Sequence, residues 1–240
     1  GFLIGPFIEG LIADAFGFQI AFLVGGVVVI SAVGLSLVLI QGPSVSQRPV
    51  GRSASKPEWS LMLRILPVVI IQIPYGIVFG FVVSIFPGYV AASGLTAAEV
   101  GSLLSVFGLA RAIAFSLAGR LEKIGEDKSA AVAFAVLAAV LLLVPFNGGF
   151  LGFLLTSCFM GICLGIIYSQ TIGYISKQAP TRNLGFAIGL YETIFGIGFA
   201  VGPIASGLIA QFTGPDLAFQ FLAVIAVSSI PMLLLLRRNR

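Results

Sequence analysis

The chain has 240 residues, 58% of them hydrophobic and only 9% charged, with 13 Lys and Arg, 9 Asp and Glu and no His. Soluble domains are usually about a quarter charged, so a mean hydropathy of +1.12 excludes a soluble globular fold. The net charge of +4 does not indicate nucleic-acid binding, because the basic residues fall between long apolar runs, where membrane topology uses them.

Those runs are continuously apolar and long enough to cross a bilayer as helices, which takes about 20 residues each. Transmembrane barrels need short alternating strands instead. The expected fold is therefore an all-α, polytopic membrane helix bundle with one partial and seven complete spans. The first span, 1–13, reads as the tail of a helix, and the absence of a starting Met suggests that it continues a longer protein. The second runs over 18–40. A polar stretch rich in Pro, Ser and Gly follows over 42–60, where Ser60 can cap the next helix and Trp59, the only Trp, suits the interfacial belt.

The third span covers 61–90 and is expected to break at Pro67, Pro74 and Pro87. The fourth starts after Thr96, which with Glu99 fits a capping box, and ends near Gly119. The fifth covers 129–146, the sixth 150–176, the seventh 184–212 and the eighth 215–236. All but one of the 13 Lys and Arg then fall on one side. They are Arg48, Arg52, Lys56 and Arg64 around the linker, Arg120, Lys123 and Lys128 after the fourth span, Lys177 and Arg182 after the sixth, and Arg237, Arg238 and Arg240 in the tail. The opposite turns carry only Asp14, Glu99 and Asp216. This asymmetry puts the linker and the C-terminus in the cytoplasm and the protein in the cell membrane.

Aligning Gly1 with Gly198 matches 11 of 22 residues, among them Gly5 with Gly202, Pro6 with Pro203 and Gly10 with Gly207. The first and seventh spans correspond, so the repeat unit is six helices. An even unit preserves orientation and makes a parallel repeat about an axis along the membrane normal. Small residues four apart let helices approach closely in lipid. Gly76/Gly80, Gly161/Gly165 and Gly185/Gly189 share that spacing with Gly1/Gly5 and Gly198/Gly202.

The doubled phrase G-x-x-x-G-P-x-x-x-G resembles the fifth-helix motif of the major facilitator superfamily, a motif associated there with antiporters. Here Glu9 stands where the family usually has another Gly, and "GRLEKIGEDK" at 119–128 matches the family's G-x-L-x-D-x-x-G loop only loosely. The resemblance covers the whole chain. It implies helices five to twelve of twelve, with 1–41 closing the first six-helix half, 42–60 the central loop and 61–240 the second half. Helices one to four and the start of the fifth would lie upstream.

Ionisable groups inside spans are costly and point to function. Arg111 lies eight residues before Gly119 and Glu192 eight residues after Leu184, so both sit about 12 Å in from the linker side. Glu192 reads as a protonatable switch, with Arg111 as its partner or as a substrate anchor; the bland alternative is a static ion pair tying two helices. Glu9 lies nearer the opposite end and reads as an interfacial carboxylate. Tyr191, Gln72, Tyr75, Tyr168, Gln170 and Tyr174 are the other candidate cavity groups, alongside a simpler role in interhelical hydrogen bonding. Cys158 and Cys163 share one apolar run and read as packing residues.

These features point to a secondary transporter working by alternating access, with proton-coupled efflux of amphipathic or drug-like compounds as the leading reading. The alternatives are proton-coupled uptake of a sugar, organic acid or other metabolite, and a non-transporting membrane scaffold. No clustered His, Asp or Cys, P-loop, dinucleotide fingerprint or nucleophile elbow supports an enzyme. The expected partners are a small-molecule substrate, protons and the lipid bilayer, with no cofactor or metal and a monomeric full-length protein.

Overall fold

A computed structural model describes residues 3–39 and 59–238. Gly1, nearly all of the linker and Arg240 lie outside the described residues, as do the side chains of Trp59, Ser60, Arg237 and Arg238. Among the described residues the chain is helical throughout, without strands. The helices are α1 (Gly5–Phe16), α2 (Phe18–Leu39), α3 (Trp59–Ser84), α4 (Phe86–Ala92), α5 (Ala97–Ser116), α6 (Ala118–Glu122), α7 (Glu126–Leu143), α8 (Gly149–Gln178), α9 (Leu184–Thr213) and α10 (Pro215–Arg238), with a 3₁₀ turn at Val144–Phe146. Among the described residues seven spans are long and apolar enough to cross a membrane, α3 and α4 together making one of them. The short α1 completes the expected set.

The repeated phrase folds the same way twice at its end. Gly17 closes α1 at φ 85° and Gly214 closes α9 at φ 93°, a region that side chains other than Gly rarely enter. Each Gly donates its N–H to the equivalent carbonyl four residues back, Ala13 at 2.9 Å and Ala210 at 3.0 Å. The next helix starts at once in both copies.

The third span departs from expectation at its prolines. α3 runs unbroken through Pro67 and Pro74, and only Pro87 marks a break, at the start of α4. A Pro in a membrane helix is tolerated where neighbouring helices and local adjustment re-satisfy the freed carbonyl. The capping box at α5 forms as expected. Glu99 donates its N–H to Thr96 Oγ1 (3.2 Å), and Thr96 donates its N–H to Glu99 Oε2 (2.8 Å).

The bundle is built from glycine meshes. α3 packs on α9, α5 on α8, α7 on α10 and α1 on α5. In the first pair a Cβ on Gly76 or Gly198 would stand 2.5 Å from the carbonyl oxygen of Phe195 or Ile73, and one on Gly202 would collide with that of Ile77. Gly80 meets Phe199 O at 2.5 Å in the same way. In the second pair Gly161 lies against Phe107 O, and a Cβ on Gly165 would come within 2.7 Å of Ala114 Cβ. In the fourth pair Gly10 abuts Ala97 O and Gly101 abuts Pro6 O. Not every expected pair meshes: Gly5, Gly185 and Gly189 face open space, and Gly207 meets only Ile85 Cδ1 at 4.0 Å. α7 and α10 pack together without such a mesh, and Phe134, Leu137 and Leu222 are buried in the common apolar core.

Candidate functional site

Four helices meet around Arg111 of α5. The α3–α9 mesh sets Tyr75 and Phe79 of α3 beside Phe195 and Phe199 of α9, with Tyr75–Phe195 centroids 5.6 Å apart and Phe79–Phe199 centroids 6.0 Å apart. The α5–α8 mesh is equally direct, because a Cβ on Gly165 would lie 2.9 Å from Arg111 O. One turn on from Gly165, Tyr168 faces the guanidinium, whose Cζ stands 5.5 Å from the Tyr168 ring centroid. The same Cζ lies 4.5 Å from the Phe79 centroid and 5.3 Å from that of Phe115. Arg111 thus sits, partly buried, in an aromatic cage, and its Nη2 donates to Tyr75 Oη at 2.9 Å.

Glu192 of α9 accepts a 2.7 Å hydrogen bond from Tyr168 Oη. Arg111 and Glu192 therefore share a wall but do not form an ion pair. Tyr168 stands between them, its ring over the cation and its hydroxyl on the carboxylate. Tyr191, fully buried, shares a 2.6 Å hydrogen bond with Thr171 and packs 5.9 Å from the Tyr168 ring.

The remaining expected residues lie elsewhere or stand apart. Gln72, one turn before Tyr75, is fully buried with no hydrogen bond at either amide atom. Gln170 is buried and donates to Ala118 O at 3.3 Å, toward α6. Tyr174 packs partly buried against the core. Glu9 is exposed and lines a separate, largely apolar cavity of about 740 Å³ among α1, α2, α4 and α5, together with Asp14, Phe22 and Pro87. Among the described residues no group of three His, Cys, Asp or Glu could hold a metal ion. Cys158 and Cys163 are both free thiols.

Sequence reading missed Phe79, Phe115, Phe195 and Phe199, although a signal was present. Phe79 follows Tyr75 by four residues, Phe115 follows Arg111 by four, and Phe195 and Phe199 lie three and seven after Glu192. Such spacings put each Phe on the face of the polar residue it follows.

Polar contacts join helices along the bundle and at its ends. On the side away from the linker, Asp14 at the end of α1 accepts the N–H groups of Ala97 (3.0 Å) and Ala98 (2.8 Å) at the start of α5. Near the start of α1, Phe7 donates its N–H to Ser105 Oγ of α5 at 3.2 Å. At the other end Lys177 bridges Glu122 (2.6 Å) and the buried Glu126 (2.9 Å), both of which lie within the loosely matching stretch 119–128.

Comparison with known proteins agrees with this architecture. The family profile described as Major Facilitator Superfamily matches residues 68–240. An uncharacterized MFS-type transporter of Methanocaldococcus jannaschii is 30% identical over 149 residues, 62% of this chain and 39% of that protein. The quinolone resistance protein NorA of Staphylococcus aureus is 22% identical over 158 residues, 65% of this chain and 40% of that protein. The matched region thus spans about two fifths of the length of these relatives.

Proposed function

The chain belongs to the Major Facilitator Superfamily, and from that premise we propose that it forms part of a secondary active transporter which expels amphipathic, drug-like solutes in exchange for protons by alternating access. One observation carries the reading. A cation and a carboxylate, Arg111 and Glu192, lie within apolar spans on a common wall where α3, α5, α8 and α9 converge, linked through Tyr168. Ionisable groups are kept at such depth where solute or ion pathways run. The aromatic rings around them suit an amphipathic body, and the likeness to a protein whose name records quinolone resistance favours efflux.

In this reading Glu192 takes up and releases the coupling proton. When Glu192 is ionised, the Tyr168 hydroxyl donates a charge-assisted hydrogen bond to it; protonation weakens that bond. The glycine meshes hold helix backbones in contact, so that meshed pairs move as rigid units. The Asp14 contact ties the two halves together on the non-cytoplasmic side, and the Lys177 cluster lies within the second half on the cytoplasmic side, with the protein in the cell membrane and its C-terminus inside. The test is solute flux by the full-length protein in proteoliposomes under an imposed proton gradient. Glu192→Gln, which mimics the protonated form, should abolish gradient-driven flux while retaining solute binding. Wild-type flux in Glu192→Gln would remove Glu192 from the mechanism.

A further inference from the structure

We propose that Arg111 anchors the carboxylate of an aromatic monoanion, so that the exported solutes include flat organic acids. The inference rests on reading this wall as the solute path and names the substrate class that the wall selects. A guanidinium has five N–H donors in a rigid fork. Arg111 spends one on the neutral Tyr75 hydroxyl, and its Nε is buried without a hydrogen bond. Among the described residues no carboxylate lies within ion-pair reach of it, and Glu192 is held by Tyr168 instead.

Aromatic faces compensate only part of the charge. The site therefore carries a cation that is partly desolvated, has no carboxylate in direct contact and keeps spare donors in the plane of its guanidinium. A planar oxyanion complements such a fork better than any other group, because both oxygens can be met at once. The walls narrow the choice further. Phosphate and sulfate carry additional oxygens that Phe79 and Phe115 cannot satisfy, and burying those oxygens unpaired is costly. A single carboxylate on an aromatic ring leaves the ring to stack on the cage and its charge to meet Arg111. A cationic amphiphile would instead face Arg111 across a few ångströms, with the Glu192 carboxylate already engaged.

The test measures equilibrium binding to the full-length protein in nanodiscs, without a gradient, of three probes sharing one ring system: 2-naphthoate, 2-naphthamide and 2-naphthylmethylammonium. The acid should bind about tenfold or more tighter than the amide, as a charge-assisted hydrogen bond implies, and the ammonium most weakly. Arg111→Gln should weaken the acid by about tenfold or more and the amide by clearly less, bringing the two close together. Equal binding of acid and amide, preference for the ammonium, or no binding of the acid by the wild-type protein each overturns the proposal, whether or not the variant folds. A parallel loss of acid and amide in a folded Arg111→Gln protein assigns Arg111 a structural role and also overturns it. Because no proton gradient is applied, these outcomes are independent of the Glu192 flux test.

Discussion

Replacing Asp14 by Ala should open the contact between α1 and α5 and leave both helices otherwise intact. The carboxylate accepts two backbone N–H groups, Ala97 at 3.0 Å and Ala98 at 2.8 Å, at the positive end of α5. The first N–H groups of a helix have no partner within it, so the substitution leaves two donors to water. Asp14 is exposed, and solvent screening keeps each bond at the weak end of its range. Loss of a capping side chain costs about 0.5–2 kcal/mol, and a negative charge at a helix start adds about 0.3–1 kcal/mol. The combined effect should be about 1–2 kcal/mol, or roughly five- to thirtyfold in the opening equilibrium. Amide hydrogen exchange of the protein in nanodiscs reads this directly. Exchange at Ala97 and Ala98 should accelerate by that factor in Asp14→Ala, while Glu99, whose N–H is held by Thr96 Oγ1, changes less. Thr96→Ala should give the reverse pattern. If Asp14→Ala leaves Ala97 and Ala98 as protected as before, the carboxylate does not hold the two helices together.

Within the repeated motif, Gly202→Ala should destabilise the chain by about 1–3 kcal/mol, because its Cβ collides with Ile77 O and the α3–α9 mesh must part. Gly207→Ala in the same helix should be neutral or slightly stabilising in the 240-residue chain, since only Ile85 Cδ1 at 4.0 Å is near; equal thermal shifts for the two variants would refute the mesh. Tyr168→Phe removes the 2.7 Å bond to Glu192 but keeps a ring over Arg111. It should change the pH dependence of proton-driven flux and leave affinity for an aromatic solute near wild type, and an unchanged pH profile would deny Tyr168 any part in coupling.

The spans were legible because lipid imposes a length and an apolar composition that no neighbour can alter, and the charge asymmetry fixed their alternation. The break at Pro87 was legible too. The continuity through Pro67 and Pro74 was not, because whether a proline breaks a membrane helix depends on which neighbours re-satisfy its carbonyl. Arg111 and Glu192 were visible as charges in apolar runs. Their relation was not, since depth along a helix says nothing of azimuth, and Tyr168 occupies the space an ion pair would have needed. The Asp14 contact joins residues more than 80 apart in sequence, and a single exposed Asp at a turn gives no periodic signal of its distant partner.

The two copies of the glycine phrase use different faces of the helix. In α9 it is Gly198 and Gly202 that meet α3, and Gly207 is open. In α1 it is Gly10 that meets α5, and Gly5 is open. Residues four apart lie about 40° from each other around a helix, whereas five residues turn about 140°. The first two glycines of the phrase therefore share one face, and the third points to another. One phrase thus encodes two contact surfaces, a paired-glycine face of the kind that grips α3 and a single-glycine face of the kind that grips α5. Pro6 fits this division: its carbonyl, which abuts Gly101, belongs to the surface presented to α5. A helix with small residues on two faces can stay locked to one neighbour while moving against another. This gives a physical reason for the same phrase to recur wherever a bundle must be rigid within a unit and mobile between units.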